Sequence, residues 1–256
     1  MPDLAGMDLG RRVYCRAPWS IYRRPDSWLY LSVPPGVEDR AARDLAIVSA
    51  DHSRAEMYHA EEDNFRAGDL PSLTMFTSDQ VLLAPILADR QGCYLHSAGA
   101  ILDGTALLFV GHSEAGKSTI TRQLQAAGEA VPDLVAILCD DRNIVRRWDA
   151  HGQGPPDWRA YGTWSHGELP DVSPRAAPLR AILFIEKAPE NALIPLSDRR
   201  EVTRRRLACL IRAFATADWW RKSLTLVEQM AREVPCYSMR FDQSGEIVKQ
   251  LRRLVG

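Results

Sequence analysis

The stretch VGHSEAGKST, residues 110–119, decides the predicted fold of this 256-residue chain. It completes the pattern G-x-x-x-x-G-K-S, in which backbone N–H groups and the start of a helix surround phosphate groups. The apolar run ALLFV precedes it and a helical pattern begins at Lys117, which is the context such a loop requires. Lys117 is expected to reach the β- and γ-phosphates of a nucleotide, and Ser118 to bind Mg²⁺. The predicted nucleotide-binding residues are Gly111, His112, Ser113, Glu114, Ala115, Gly116, Lys117, Ser118 and Thr119.

The segment in front of this loop predicts a β-hairpin. Residues 93–111 contain two apolar runs joined by Asp103-Gly104, which is the strongest short-range signal for a two-residue hairpin turn. With that turn, each residue before it faces a partner after it, and extending the ladder places His96 opposite Gly111. The sequence therefore predicts a histidine beside the phosphate loop.

An acidic pair follows on the next predicted strand. The run LVAILCDD, residues 134–141, is apolar and ends in two aspartates, which is typical of a buried central strand. Beside a phosphate loop, one carboxylate can hold Mg²⁺ while the other acts on a nucleophile. The alternative is a strand end capped by two solvated acids. Motor and transporter ATPases usually place further elements between loop and acid, so the short spacing disfavours those classes.

Three further residues are candidates for binding the substrate or a metal ion. His166 and Glu168 lie in the predicted loop GTWSHGE, residues 162–168, where contact with metal or substrate and plain solvent exposure are both open. Arg142 follows the aspartates directly and either neutralises phosphate charge or pairs with Asp141, and the pairing is favoured. No zinc site is predicted, because no third ligand lies at a suitable spacing from this pair.

A cluster of arginines lies on a predicted helix within residues 198–217. Such runs are mostly solvated faces, and that is the expectation here. The alternative is a docking surface for an acidic peptide or for the carboxylates of another subunit. The five arginines are Arg199, Arg200, Arg204, Arg205 and Arg206.

Composition limits the functional classes. A chain with 46% hydrophobic and 25% charged residues is ordinary soluble globular material. A net charge of −1 gives no sign of a nucleic-acid or membrane partner, and no signal peptide or membrane span is visible. Five scattered cysteines without a C-x-x-C pair suit a reducing cytosol. The protein is therefore expected to be cytoplasmic.

The two segments LHSAGAILDGTALLFVGHSEAGKSTI and LCDDRNIV together resemble the catalytic domain of HPr kinase/phosphorylase and its shorter relatives. That fold is shared with the nucleotide domain of phosphoenolpyruvate carboxykinase. In the family, a histidine precedes a hairpin leading into the phosphate loop, and an Asp-Asp pair follows on the next strand. His96, the loop from Gly111 to Thr119, and Asp140-Asp141 match that pattern.

The resemblance implies an α/β fold of the P-loop type, a mixed sheet with flanking helices preceded by a small α+β N-terminal section. Alternation of strands and helices after residue 95 agrees with this class. The expected division is residues 1–92 as the N-terminal section, packed on the core, and 93–256 as the catalytic domain. Because relatives commonly form hexamers, a homo-oligomer is expected.

The resemblance also implies an ATP- and Mg²⁺-dependent kinase that transfers the γ-phosphate to a hydroxyl. Asp140 would be the general base, and His96 would help to position the phosphates or to balance their charge. Lys117, Ser118 and Asp141 would hold phosphate and metal. With 256 residues, the chain is expected to lack the family's usual N-terminal domain and to resemble the short relatives, and HPr itself is not the expected acceptor. A peptide, a protein or a small molecule is the expected acceptor.

Two other functions are weighed against kinase activity. One is a nucleotide sensor or assembly module without catalysis, which would not need His96 and both aspartates. The other is carboxykinase-like chemistry on a small carboxylic acid, which would need further cationic ligands and a second metal site.

Overall fold

The computed structural model describes residues 2–60, 63–66, 83–112, 114–131, 134–149, 157–212 and 216–256. Ser113 of the predicted phosphate loop lies outside the described residues. The chain divides into two compact units, Met1–Asp89 with Arg212–Trp220, and Arg90–Ile211 with Arg221–Gly256. None of the helices in the described part of the chain combines the length and hydrophobicity needed to cross a lipid bilayer.

The first unit is built on a five-stranded antiparallel sheet whose strands follow chain order. The strands alternate side chains between two apolar clusters, so that Leu29, Leu31 and Leu45 share one cluster while Tyr30 and Ala46 share the other. The strands are β1 Arg11–Arg16, β2 Trp19–Arg23, β3 Ser27–Ser32, β4 Asp44–Ser49 and β5 Ala55–His59. Short helices accompany them, a 3₁₀ turn at Asp39–Ala41, α1 at Asp63–Arg66 and α2 at Ala84–Ala88.

The second unit contains a nine-stranded mixed sheet with flanking helices. The strands are β6 Gly92–His96, β7 Ala98–Leu102, β8 Thr105–Val110, β9 Val135–Cys139, β10 Arg142–Trp148, β11 Asp157–Tyr161, β12 Ala176–Lys187, β13 Ala192–Pro195 and β14 Cys236–Phe241. The remaining helices among the described residues are α3 Lys117–Ala130, α4 Arg199–Cys209, α5 Ala217–Glu233 and α6 Ile247–Val255. The predicted α/β class with a mixed sheet is confirmed.

The sheet runs in the order β6-β10-β11-β12-β8-β7-β9, and β14 pairs with both β12 and β13. The long strand β12 joins its two halves, because its first residues pair with β11 and its later residues pair with β8 and β14. Its pairing with β8 and β14 is parallel. Apolar side chains of α3 and α6, such as Ile120 and Leu251, pack with Phe109 of β8 in one buried core.

The predicted hairpin is confirmed in its turn and register, with Leu102 opposite Thr105 and Ala98 opposite Phe109. Asp103 and Gly104 both have positive φ angles of 47° and 77°, as tight hairpin turns require. The extension of the ladder to His96 is wrong, because the pairing with β8 stops at Ala98.

His96 instead ends β6 and lies opposite Arg142 of β10. The strand is interrupted at Ser97, whose amide donates to the carbonyl of Asp141 over 2.8 Å. The chain therefore leaves one half of the sheet at His96 and enters the other half at Ala98.

The prediction that residues 134–141 form a central strand is wrong. β9 is the last strand in the order and pairs with β7. The hairpin strand β7 therefore separates β9 from β8, the strand that leads into the phosphate loop. Burial of its residues confirms a more peripheral place, because Val135 to Ile137 are only partly buried. An apolar run fixes the presence of a strand and not its position in the sheet.

The arginine cluster on α4 is only partly a solvated face. Arg199, Arg200 and Arg204 are exposed, but Arg206 is fully buried. It lies four residues after Val202 and three before Cys209, which are the other buried residues of the helix. Helical periodicity therefore places Arg206 on the inward face, and the expectation of exposure is wrong for this residue.

Candidate functional site

The phosphate loop connects β8 to α3, and each of its two glycines is required for a different structural reason. Gly116 has a φ of +110°, and a Cβ there would lie 2.8 Å from Cζ of Phe241. A Cβ on Gly111 would lie 2.5 Å from that of Ala115. Gly116 thus supplies a left-handed backbone at the start of α3, and Gly111 allows the loop to close on itself.

Two neighbouring crossovers bring the other candidate residues to this loop. One is Ser97 between β6 and β7, and the other is Asp140-Asp141 between β9 and β10. The buried Asn143 ties them together, because its amide nitrogen donates to the Ser97 carbonyl over 2.7 Å. A Cβ on Gly99 would lie 2.4 Å from Oδ1 of Asn143, so this glycine makes room for the amide.

Asp140 is 2% exposed, and its carboxylate is oriented by the backbone. The amides of Gly167 and Leu169 donate to its two oxygens, the latter over 3.0 Å. The predicted loop 162–168, together with Leu169 directly after it, therefore holds the Asp140 carboxylate in place. These two hydrogen bonds fix the plane of the carboxylate at the edge of the cleft.

Asp141 has a different environment, since its carboxylate contacts three side chains. His96 Nε2 lies 3.2 Å from one oxygen, and Arg142 Nε lies 3.0 Å from the other. The hydroxyl of Ser165 donates to the same carboxylate over 3.1 Å. The ion pair of Arg142 with Asp141 is present, and burial lowers the pKa of the Arg142 guanidinium below its usual value.

Lys117 is folded back on the loop that precedes it. Its ammonium donates to the carbonyls of Gly111 and His112 over 3.2 and 3.4 Å. Partial burial lowers the pKa of Lys117 from its usual value, and the nearby carboxylates of Asp141 and Asp140 oppose that shift. The cation is therefore held at the mouth of the loop, where an anion would add a favourable partner.

One cavity of about 430 Å³ collects most of the predicted residues. Gly111, His112, Ala115, Arg142 and His166 lie outside its lining. The predicted residues that line it are His96, Glu114, Gly116, Lys117, Ser118, Thr119, Asp140, Asp141 and Glu168.

Two further cations, which were not predicted from the sequence, line the same cavity, Lys187 and Arg122. Lys187 ends β12, which runs parallel to β8, and the carboxyl ends of parallel strands meet at one edge of a sheet. Arg122 lies four residues after Ser118 on α3, so helical periodicity places both on one face. The signal for Lys187 is visible only once the strand pairing is known, whereas the spacing of Arg122 from Ser118 could have been read from the helix predicted to begin at Lys117.

The loop after β11 is anchored at its base. The hydroxyl of Thr163 donates to the Arg142 carbonyl over 2.6 Å, and a Cβ on Gly162 would lie 1.9 Å from the Ser173 carbonyl oxygen. Its tip is more open, where Glu168 lies 3.8 Å from Arg122 and both side chains are well exposed. His166 is exposed.

The oxygen ligands in the cavity fit Mg²⁺ bound together with phosphate. Within the described residues, no three His, Cys, Asp or Glu side chains gather into a group that could hold a metal alone. Mg²⁺ in phosphate sites usually takes one or two protein ligands and completes its shell with water and phosphate oxygens. The hydroxyl of Ser118 and the carboxylate of Asp141 are side chains of that kind in this cavity.

Comparison with known proteins gives one family. The model of the family described as SynChlorMet cassette protein ScmC matches residues 63–256. No curated protein matches the chain. Among solved structures, the HPr(Ser) kinase/phosphatase from Coxiella burnetii is similar at 10% identity and a TM-score of 0.33, over 63% of this chain and 93% of that chain. That likeness is too distant to show a shared activity.

Proposed function

The chain belongs to the SynChlorMet cassette protein ScmC family, and we propose that it is an ATP- and Mg²⁺-dependent phosphotransferase acting on a hydroxyl. One observation carries the proposal. The phosphate loop, His96 and both aspartates line a single cavity although they come from three separate segments of the chain. A protein that only held phosphate would have no need of an oriented carboxylate beside the loop.

The loop and Lys117 hold the polyphosphate. The backbone N–H groups at the start of α3 and the Lys117 ammonium neutralise the negative charge of the phosphates. Mg²⁺, when bound, would be held by Ser118 and Asp141 and would withdraw charge from the phosphate oxygens. Lys187 and Arg122 add two positive charges to the same cavity.

The two aspartates have different environments, and this supports different roles. Asp140 lines the cavity and is oriented by two backbone amides, which suits a carboxylate that accepts the proton of a bound hydroxyl. Asp141 contacts His96 and Arg142, which suits a carboxylate that balances charge near metal and phosphate. We therefore assign Asp140 as the general base and His96 as a positioning residue acting through Asp141.

The transfer step exchanges one bond at the γ-phosphorus for another. The acceptor oxygen forms a bond to the γ-phosphorus while the bond from that phosphorus to the bridging oxygen breaks. The hydroxyl proton passes to Asp140, and ADP leaves with the bridging oxygen. Such transfer depends mainly on in-line positioning and charge stabilisation, which this set of side chains supplies.

The first test is nucleotide binding. Lys117→Met is expected to weaken MgATP binding at least about tenfold, because it removes the charge at the β- and γ-phosphates. The measurement is isothermal titration calorimetry. Lys249→Met is the matched control, since Lys249 is an exposed residue of α6 paired with Glu246. Equal binding by Lys117→Met and wild type would show that the loop does not hold the nucleotide.

The second test is transfer. Wild type is expected to move label from γ-labelled ATP to an acceptor, while Asp140→Asn binds MgATP and loses transfer by about a hundredfold or more, as expected for loss of a general base. Asp171→Asn, a change at an exposed aspartate, is the control. Because the family is described as a cassette protein, the other products of that cassette are the first acceptors to supply. Tight binding without transfer to them or to a cell extract would favour a nucleotide sensor.

A further inference from the structure

A second cavity of about 370 Å³ adjoins the phosphate cavity and shares Thr119 and Lys187 with it. None of its other residues belongs to the phosphate loop or to the acidic pair. They are Ala188, Pro189, Phe241, Asp242 and Gln243. The shared pair means that a ligand filling the first cavity can continue directly into the second.

The walls of the second cavity come from two parallel strand ends. β12 and β14 pair in register up to Lys187 opposite Phe241, so the residues that follow each strand lie side by side. The Ala188 amide donates to the Phe241 carbonyl over 2.9 Å. Gln123 of α3 donates to the Asp242 carbonyl over 2.8 Å. The cavity is therefore built on the same sheet edge and the same helix as the phosphate loop.

We infer that this second cavity holds the nucleoside of the nucleotide whose phosphates lie in the loop, an inference that rests on the proposed function. Nucleoside sites combine apolar surface with a few polar groups at the rim. Ala188 and Pro189 supply apolar surface, and the exposed amide of Gln243 offers one donor and one acceptor group. The base packs on the apolar wall and the Gln243 amide pairs with its edge.

Asp242 gives the cavity an anionic acceptor. Its carboxylate accepts hydrogen bonds from the amide and the hydroxyl of Ser244, the former over 2.9 Å. These bonds favour the ionised form and lower its pKa. A carboxylate cannot lie against phosphate without cost, but it accepts well from hydroxyl or amino groups. Asp242 therefore suits the uncharged end of a nucleotide.

Lys187 marks the junction between the two parts of the ligand. Its Cε would lie 3.2 Å from a Cβ on Gly116, so the side chain runs along the start of α3. At that place its ammonium faces the phosphate nearest the nucleoside, while Lys117 serves the distal phosphates. The arrangement divides the charged and uncharged parts of the nucleotide between the two cavities.

The test compares MgATP with inorganic tripolyphosphate and Mg²⁺ by titration calorimetry. Wild type is expected to bind MgATP at least about tenfold more tightly than tripolyphosphate, since only ATP fills the second cavity. Ala188→Trp, which fills that cavity, is expected to remove this advantage and leave tripolyphosphate binding unchanged. Ile194→Trp on β13, at an exposed position outside the cavity, is expected to change neither.

Gln243→Ala is a second variant at an exposed position, which avoids any failure of Ala188→Trp to fold. It is expected to weaken MgATP about threefold, because one amide contact is lost, with tripolyphosphate unaffected. Equal affinity of wild type for both ligands would overturn the nucleoside site and leave the phosphate loop intact. Equal weakening of both ligands by Gln243→Ala would also overturn it. If neither ligand binds wild type, the proposed function fails as well.

Discussion

Arg206 is a fully buried cation on α4, and its environment makes the burial of this charge unfavourable for stability. One terminal nitrogen donates to the Val234 carbonyl and to the Cys236 sulfur, each over 2.8 Å. Nε and the other terminal nitrogen have no hydrogen-bond partner among the described residues. A buried charge without a carboxylate keeps a desolvation penalty that packing alone does not offset. The long side chain nevertheless fills space that a small residue would leave empty.

Replacing Arg206 therefore separates charge from volume. Arg206→Met is expected to raise the free energy of unfolding by about 1 kcal/mol, because it removes the buried charge and keeps most of the volume. Arg206→Ala is expected to lower it by about 2 kcal/mol, since a cavity remains. Urea denaturation measures both, with the exposed Arg199→Met as a control. A lower free energy of unfolding for Arg206→Met than for wild type would show that the guanidinium contributes net stability.

At the scale of elements, local signals predicted well and pairings did not. The hairpin from Ala98 to Val110 followed from Asp103-Gly104, because a two-residue turn fixes the register of its own strands. The break at Ser97 could not be predicted, since its cause is a hydrogen bond to Asp141, far along the chain. Lys187 was missed for the same reason, as its place depends on which strand lies beside β8.

The crossovers at Ser97 and Asp140-Asp141 are expected to depend on the contact between Gly99 and Asn143. Gly99→Ala is expected to lower the free energy of unfolding by about 2 kcal/mol, because its Cβ would overlap the Asn143 amide. Asn143→Ala removes the donor to the Ser97 carbonyl and is expected to cost about 1–3 kcal/mol.

Denaturation of the double variant tests the coupling between these two positions. The double variant is expected to lose less free energy of unfolding than the sum of the two single losses, by about 1 kcal/mol. The reason is that the clash with the new Cβ disappears when the Asn143 amide is removed. Additive losses would mean that Gly99 matters for some other reason. Ala98 and Ala100 flank Gly99 in β7 and are buried alanines, so alanine is compatible with the backbone of this strand.

For the whole molecule, the alternation of strands and helices predicted the α/β class, but the order of the strands in the sheet could not be predicted from the sequence. Each apolar run identified a strand, but an apolar pattern shows only which faces of the strand are buried and not which strands pair with it. The path β6-β10-β11-β12-β8-β7-β9 requires two chain crossings that depend on distant hydrogen bonds. The residues of the phosphate loop were local in sequence, so they could be predicted, while the second cavity combines the ends of β12 and β14. The predicted boundary at residues 92 and 93 stays a prediction.

The cysteines differ in exposure between the two compact units, so their reactivity can show when the second unit opens. Cys15 is exposed in the first unit, while Cys93, Cys139, Cys209 and Cys236 are buried in the second. Burial raises the pKa of all four buried thiols, that of Cys209 to about 12, and so removes the reactive thiolate. The four buried thiols therefore become reactive only when the second unit opens.

N-ethylmaleimide labelling followed by intact mass spectrometry is expected to give one adduct in native buffer and five in concentrated urea. Between these limits the second unit is expected to unfold cooperatively, so that its four thiols react together and species with two to four adducts stay minor. Cys15→Ser is the control and should give no adduct in native buffer. Two or three adducts on the native wild type would instead show that part of the second unit opens locally, and peptide mapping would then locate the strand or helix involved.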